Sequence, residues 1–185
     1  MKIALKFFGF FLLLAVLAPQ FAPFSFIFAT PHLDTSWVWA TNEAVAQKLV
    51  FGKEFIFTSG PYTGILNRIY HPATYNLNLF GGLFCAAACA LAMFRLRCES
   101  GFMSLLCLPL LVCFAFSMGG DSNFYCLTLL IGLATMRAAT RPLTVSSGAL
   151  IAFLWAAQGV PPLMKGSLFI DVWRQAPLFV SAGWR

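Results

Sequence analysis

Hydrophobic positions gather into long blocks broken by short polar stretches, and block length carries the first signal. After Lys2 and Lys6, the run from Phe7 to Ala29 holds nothing more polar than Gln20 and Ser25. As a helix it is long enough to cross a hydrocarbon core of about 30 Å. A secretory signal peptide has an apolar stretch of only about 7 to 15 residues before its cleavage site. Here the run continues past Pro19 and Pro23, so residues 1–28 are read as a first transmembrane helix, an uncleaved signal anchor. Four further apolar blocks follow: Leu77 to Phe94, Phe102 to Met118, Phe124 to Thr140, and Val145 to Met164. Pro109 and the Pro161-Pro162 pair are expected to kink or end their helices, which a membrane tolerates where neighbours satisfy the freed carbonyls. The expected fold class is all-α: a polytopic transmembrane helical protein of five spans, with spans two to five in residues 77–165 and a long loop at 29–76.

The first half of the loop patterns as a short helix. Asp34, Thr35 or Ser36 can cap it, and Gly52 is expected to close it. Val38, Val45 and Leu49 recur at helical spacing beside Trp37, with Asn42, Glu43 and Gln47 on the other side, the pattern of a helix lying on a membrane surface. Beyond the turn, Phe55, Phe57 and Tyr62 surround Gly60-Pro61 just outside the bilayer, and Arg68, Tyr70 and His71-Pro72 lead into the second span.

Composition fits this reading, with 60% hydrophobic and 10% charged residues against roughly 45–50% and about 25% in a soluble domain. The net charge of +6 does not point to nucleic acid, because the basic residues are scattered between apolar blocks. They set topology instead. Lys2 and Lys6, Arg95 and Arg97, and Arg137 and Arg141 fall in alternate connections, so the N-terminus and these connections are expected in the cytoplasm of a cell whose inner membrane holds the chain. The loop, where Lys48, Lys53 and Arg68 are balanced by Asp34, Glu43 and Glu54, then faces outward. Residues 166–185 form no sixth span, since Asp171, Arg174 and Pro177 interrupt Leu168-Phe169-Ile170. They read either as an interfacial tail anchored by Trp173 and Trp184 or as the start of a missing C-terminal part.

The six cysteines all lie in or beside apolar blocks, and Cys85 and Cys89, four apart, are read as packing residues rather than metal ligands. No metal and no cofactor is expected. Chemistry concentrates in the loop. Asp34 follows the first span closely, and partial desolvation there would make it a better base; from spacing alone capping the loop helix is its first role, and the two are compatible on one carboxylate. Arg68, His71 and Lys53 can meet a phosphate, or only lipid headgroups. Glu43, nine positions from Asp34, points elsewhere on the helix, so the two carboxylates do not pair. Asp121 is assigned to a turn, and Lys165 to interfacial anchoring or to the same outer region as the loop.

Three loop segments carry a resemblance: Asp34-Thr-Ser-Trp37, then Phe51-Gly52-Lys-Glu-Phe-Ile-Phe57-Thr-Ser-Gly60-Pro61-Tyr62, then Tyr70-His71-Pro72. Together they resemble a family of bacterial multi-pass proteins related to the GT-C glycosyltransferases, the group of the protein mannosyltransferases. The resemblance covers residues 5 to 94 and extends to the later helices only through hydrophobicity. It implies a membrane glycosyltransferase drawing on a polyprenyl-phosphate-linked sugar at the outer face, with Asp34 catalytic and Trp37, Tyr62, Arg68 and His71 binding substrate. GT-C enzymes carry many more helices, so the resemblance also implies an N-terminal fragment or a partner subunit. The alternative is a non-catalytic membrane protein: a truncated remnant, a scaffold or a transport subunit. Transport is the weaker form of it, because ionisable residues in mid-span are lacking.

Overall fold

The computed structural model describes residues 2–30, 33–67, 69–97, 121–139 and 144–166. Every named element in them is a helix: α1 (Lys2–Phe21), α2 (Leu33–Ala46), α3 (Thr63–Asn67), α4 (Tyr75–Arg97), α5 (Asp121–Ala139), α6 (Val145–Gln158) and α7 (Val160–Met164). Extended pairing among the described residues is limited to isolated bridges, Ile27 with Ile69, Phe51 with Phe55 and Ser59 with Lys165. The expected span at Phe102 to Met118 and the tail from residue 167 onward lie outside the described residues.

Two helices are long and apolar enough to cross a membrane: Tyr75–Leu96, of 22 residues, and Val145–Met164, of 20. The second is α6 running almost directly into α7. Gly159 between them keeps a right-handed helical conformation, and Pro161 and Pro162 sit in the first turn of α7, where a missing amide hydrogen costs least. The double proline therefore carries the helix onward instead of ending it. Thr144 opens α6 with a capping box: its hydroxyl accepts from the Ser147 amide at 3.2 Å, and the Thr144 amide donates to Ser147 Oγ at 2.7 Å.

α1 departs from the expected span. Its helix ends at Phe21, and residues 22–30 run on without helix although their apolar character continues. Pro23 is the physical cause. It offers no amide to the ladder and pushes Ala22 away from the helical region, whereas Pro19 is absorbed within the final turn.

α1 and α4 pack antiparallel. At one end the rings of Phe10 and Phe94 meet edge to face at 5.8 Å. At the other, the backbones nearly touch: a Cβ on Gly82 would lie 2.3 Å from the Phe21 carbonyl oxygen. Small residues on α4 make this approach possible, as at other close helix pairs in membranes. Phe21 also meets Phe124 edge to face at 5.5 Å, so α5 begins at the end where α1 stops. Phe84 against Phe153 joins α4 to α6, and a buried core of Leu17, Phe21, Phe124, Leu127, Ile131 and Leu154 fills the centre. Cys85 and Cys89 belong to that core, both 1% exposed, as expected of packing residues. Lys2, Lys6, Arg95, Arg97 and Arg137 all sit at helix ends away from residues 33–75, which cover the opposite end of the bundle.

Candidate functional site

The covering layer is held at three places. Gly60 donates its amide to the Met164 carbonyl at 2.8 Å, and the Thr63 hydroxyl lies 2.6 Å from the same oxygen. A Cβ on Gly60 would stand 2.3 Å from the Leu163 carbonyl oxygen, so only glycine allows this approach. Lys165 thus lies beside the loop through its backbone bridge to Ser59. At the second place the Tyr70 amide donates to the Ile27 carbonyl at 2.8 Å. The third joins α2 to the start of α4.

α2 differs from the expected surface helix in both its ends and its buried face. Asp34, Thr35 and Ser36 all lie inside its first turn, and the two hydroxyls donate backward, Thr35 to the Thr30 carbonyl and Ser36 to the Leu33 carbonyl at 2.8 Å. Positions inside the helix are not its N-cap, which precedes Leu33. The helix ends at Ala46, before Gly52. Lys48 takes a left-handed conformation with φ 58°, its amide bonding the Val45 carbonyl and the Leu49 amide bonding the Ala44 carbonyl. That is a Schellman closure made without glycine. Gly52, at φ 84°, instead turns the chain between Val50 and Phe55. The buried face contains Val38, Thr41 and Asn42, with Asn42 only 2% exposed, although it was assigned to the polar side. Both polar atoms of its amide have a partner, which makes burial tolerable: Nδ2 donates to the Val38 carbonyl at 3.0 Å, and Oδ1 accepts from the Thr74 hydroxyl at 2.7 Å.

His71, 4% exposed, completes this junction. Its Nε2 lies 2.9 Å from Glu43 Oε2, and its ring packs against Trp39 at 4.7 Å. Glu43 also accepts from Gln47 Nε2 at 2.8 Å. The Gln47 amide first, and the His71 bond second, hold the Glu43 carboxyl below its ordinary range. An ionised carboxylate only accepts, so Nε2 of His71 carries the proton and donates it. The other ring nitrogen, Nδ1, is buried without a hydrogen-bond partner. Pro72 occupies the second position of the turn in which the Thr74 amide donates to the His71 carbonyl at 3.1 Å, and the Thr74 carbonyl accepts the first α4 bond, from Asn78. Gly64 of α3 fits against both amides: a Cβ there would lie 2.4 Å from Asn78 Oδ1 and 2.6 Å from Asn42 Oδ1.

The expected site residues are therefore distributed. Asp34 lies in the first turn of α2, and its side chain is outside the description, as is Arg68. Trp37 is half-buried and stacked on Phe57, with centroids 5.1 Å apart. Tyr62, 38% exposed, stands in the turn before α3. His71 is interior. Among the described residues no hydrogen bond or ring contact joins Trp37, Tyr62 and His71 to one another. The residues that do converge, Glu43, Trp39, Asn42, Thr74 and Asn78, were not singled out as a site. One sign of them was present: Thr74 and Asn78 form a polar pair, four apart, at the head of an apolar block.

Chemically, the His71 and Glu43 pair can hold or pass a proton, but with Nδ1 enclosed the imidazole reaches no external group in this arrangement. Its evident work is to tie α2 to α4. Set against models of known protein families, curated proteins and solved structures, the chain matches none of them.

Proposed function

We propose that the chain is a multi-pass protein of the cell inner membrane whose outer loop serves glycosyl transfer from a polyprenyl-phosphate-linked sugar. The observation that carries this reading is the ordered layer of residues 33–75, fastened by Gly60 and Thr63 to the end of the Val145–Met164 helix. Such a layer, where apolar helices end, meets a lipid-borne donor and a water-soluble acceptor together. The orientation rests on charge. The helix ends carrying Lys2, Lys6, Arg95, Arg97 and Arg137 lie opposite the layer, and excess basic residues mark the cytoplasmic side.

In this mechanism Asp34, in the opening turn of α2, takes the proton of the acceptor hydroxyl as its oxygen bonds to the anomeric carbon. The bond from that carbon to the phosphate oxygen breaks, and polyprenyl phosphate leaves with the electron pair. Arg68 balances the phosphate charge, Trp37 and Tyr62 bind the sugar, and His71 acts as a positioning residue through Glu43.

The test is transfer of radiolabelled sugar from a polyprenyl-phosphate donor in membrane vesicles holding the full chain. Asp34→Asn should abolish transfer and insert normally; equal transfer by both proteins rejects the role of Asp34. A second reading, a non-catalytic membrane component, is favoured by one observation: His71, Asn42, Thr74 and Thr63 are all spent on attaching the layer to the bundle. No transfer by the unmodified chain, alone or with added membrane extract, supports that reading.

A further inference from the structure

The segment between α1 and α2 presents an aromatic surface that no other described residue fully covers. Phe24, Phe26 and Phe28 are 57%, 59% and 64% exposed. Phe26 and Phe28, alternate residues on either side of the bridge from Ile27 to Ile69, share one edge, and Phe24 stands beside them before the bend at residue 25. The segment is tied on the other side by the bond from the Tyr70 amide to the Ile27 carbonyl. Tyr70 and Tyr75 brace the edge: Phe26 lies 4.6 Å from Tyr70 and 5.5 Å from Tyr75, and Phe28 lies 5.7 Å from Tyr70. From Ile3 through Leu33 the only formal charge is that of Lys6, so the aromatic edge has no ionic requirement of its own.

Two observations fix its level. Tyr75 is the first residue of Tyr75–Leu96, a helix long enough to cross a membrane, so the cluster stands where that helix begins. The apolar part of α1, Phe7–Phe21, extends about 22 Å of a core of about 30 Å, and the chain leaves helix immediately afterward. Backbone outside a helix is not tolerated among lipid tails, yet exposed rings of this number are disfavoured in water. The headgroup and glycerol layer satisfies both demands, and amphipathic rings such as those of tyrosine collect there. The exposed stripe of Phe7, Phe8, Phe11, Leu12 and Val16 on α1 leads the chain into the same layer.

We propose that Phe26 and Phe28, braced by Tyr70 and Tyr75, together with the neighbouring Phe24, bind phospholipid at the glycerol level of the leaflet on the loop side and so set the depth of the loop. This rests on the membrane reading above and is independent of any transfer activity. The test places the photoreactive aromatic residue p-benzoylphenylalanine at position 26 or 28 of the full chain in native membranes. Position 11 on the α1 stripe and position 53 in the exposed turn are the comparisons. After irradiation, intact-mass spectrometry should find a shift of one phospholipid at positions 26, 28 and 11, and none at 53. Lipid adducts at 11 without any at 26 or 28 overturn the proposal and leave the membrane reading standing. Cross-linked dimers at 26 or 28 also overturn it, naming a second copy of the chain as the occupant. Absence of lipid at 11 as well rejects both together. Retained membrane insertion, checked by carbonate extraction, ensures that each probe is read in folded protein.

Discussion

Gly60→Ala tests whether the loop is truly fastened to the far end of the chain. The added methyl would sit 2.3 Å from the Leu163 carbonyl oxygen and 3.3 Å from its carbon, and both are backbone atoms that cannot swing aside. The segments must separate, which breaks the 2.8 Å bond from the Gly60 amide to the Met164 carbonyl and disturbs the Thr63 hydroxyl at 2.6 Å. A lost hydrogen bond costs about 1 kcal/mol and a buried carbonyl left unpaired about 1–3 kcal/mol, so the docked state should weaken by about 3 kcal/mol. At 1.4 kcal/mol per factor of ten, the undocked population rises about 100-fold. Hydrogen exchange read by mass spectrometry on the full chain in detergent measures that population when opening is fast. Peptides covering residues 59–66 should exchange about 100-fold faster, while those from α1 and α4 should keep their rates. Thr63→Val, which removes only the hydroxyl, should give about a fivefold increase. Gly148→Ala is the control, because nothing lies within 4 Å of its would-be Cβ. An increase below about threefold for Gly60→Ala, equal to that of the control, would refute the close approach and the docking built on it.

The lowered pKa of Glu43 predicts a pH effect of definite sign. Its folded-state pKa lies below the unfolded value, so its stabilising contribution is complete above the ordinary carboxylate value of 4.5 and is lost as pH falls through the lowered one. Thermal unfolding in detergent across that acid range should show a steeper loss for the unmodified chain than for Glu43→Gln; parallel curves would remove the Gln47 and His71 bonds from the account. Lys48→Gly should raise stability by about 1 kcal/mol, since a side chain at φ 58° is strained and glycine is not. A midpoint for Lys48→Gly at or below that of the unmodified chain in denaturant titration would contradict the left-handed closure of α2.

How far the fold could be read from residue order depends on the distance between partners. The apolar blocks at Leu77 to Phe94 and Val145 to Met164 became helices with nearly those bounds, because length and apolarity are local properties. The end of α1 was misjudged because hydrophobicity continues to Ala29 while Pro23 stops the hydrogen-bond ladder at Phe21. Asn42 was placed on a polar face because its partner Thr74 is 32 residues away, and no periodicity within α2 reveals that bond. The same holds for Thr63 and Met164, 101 residues apart. Gly60-Pro61 could be seen as a turn, but only the approach of Leu163 explains why the residue must be glycine.

These distances divide the loop into two chemical layers, and the division governs how its residues can be interpreted. His71, Asn42, Thr74 and Thr63 are buried, and their hydrogen bonds run between α2, the Gly60 turn, α4 and α7. Trp37 and Tyr62 stand nearer the surface. A substitution in the inner layer loosens the support on which the outer residues stand. Loss of function on changing His71 therefore says nothing by itself about contact with a substrate, because the same change releases Glu43 and the α2 to α4 junction. The outer residues lack that ambiguity: Tyr62 is 38% exposed, so its removal leaves the buried network whole. Chemistry performed by this loop must be sought in the residues its architecture does not consume, such as Tyr62, rather than in the histidine whose geometry is best defined.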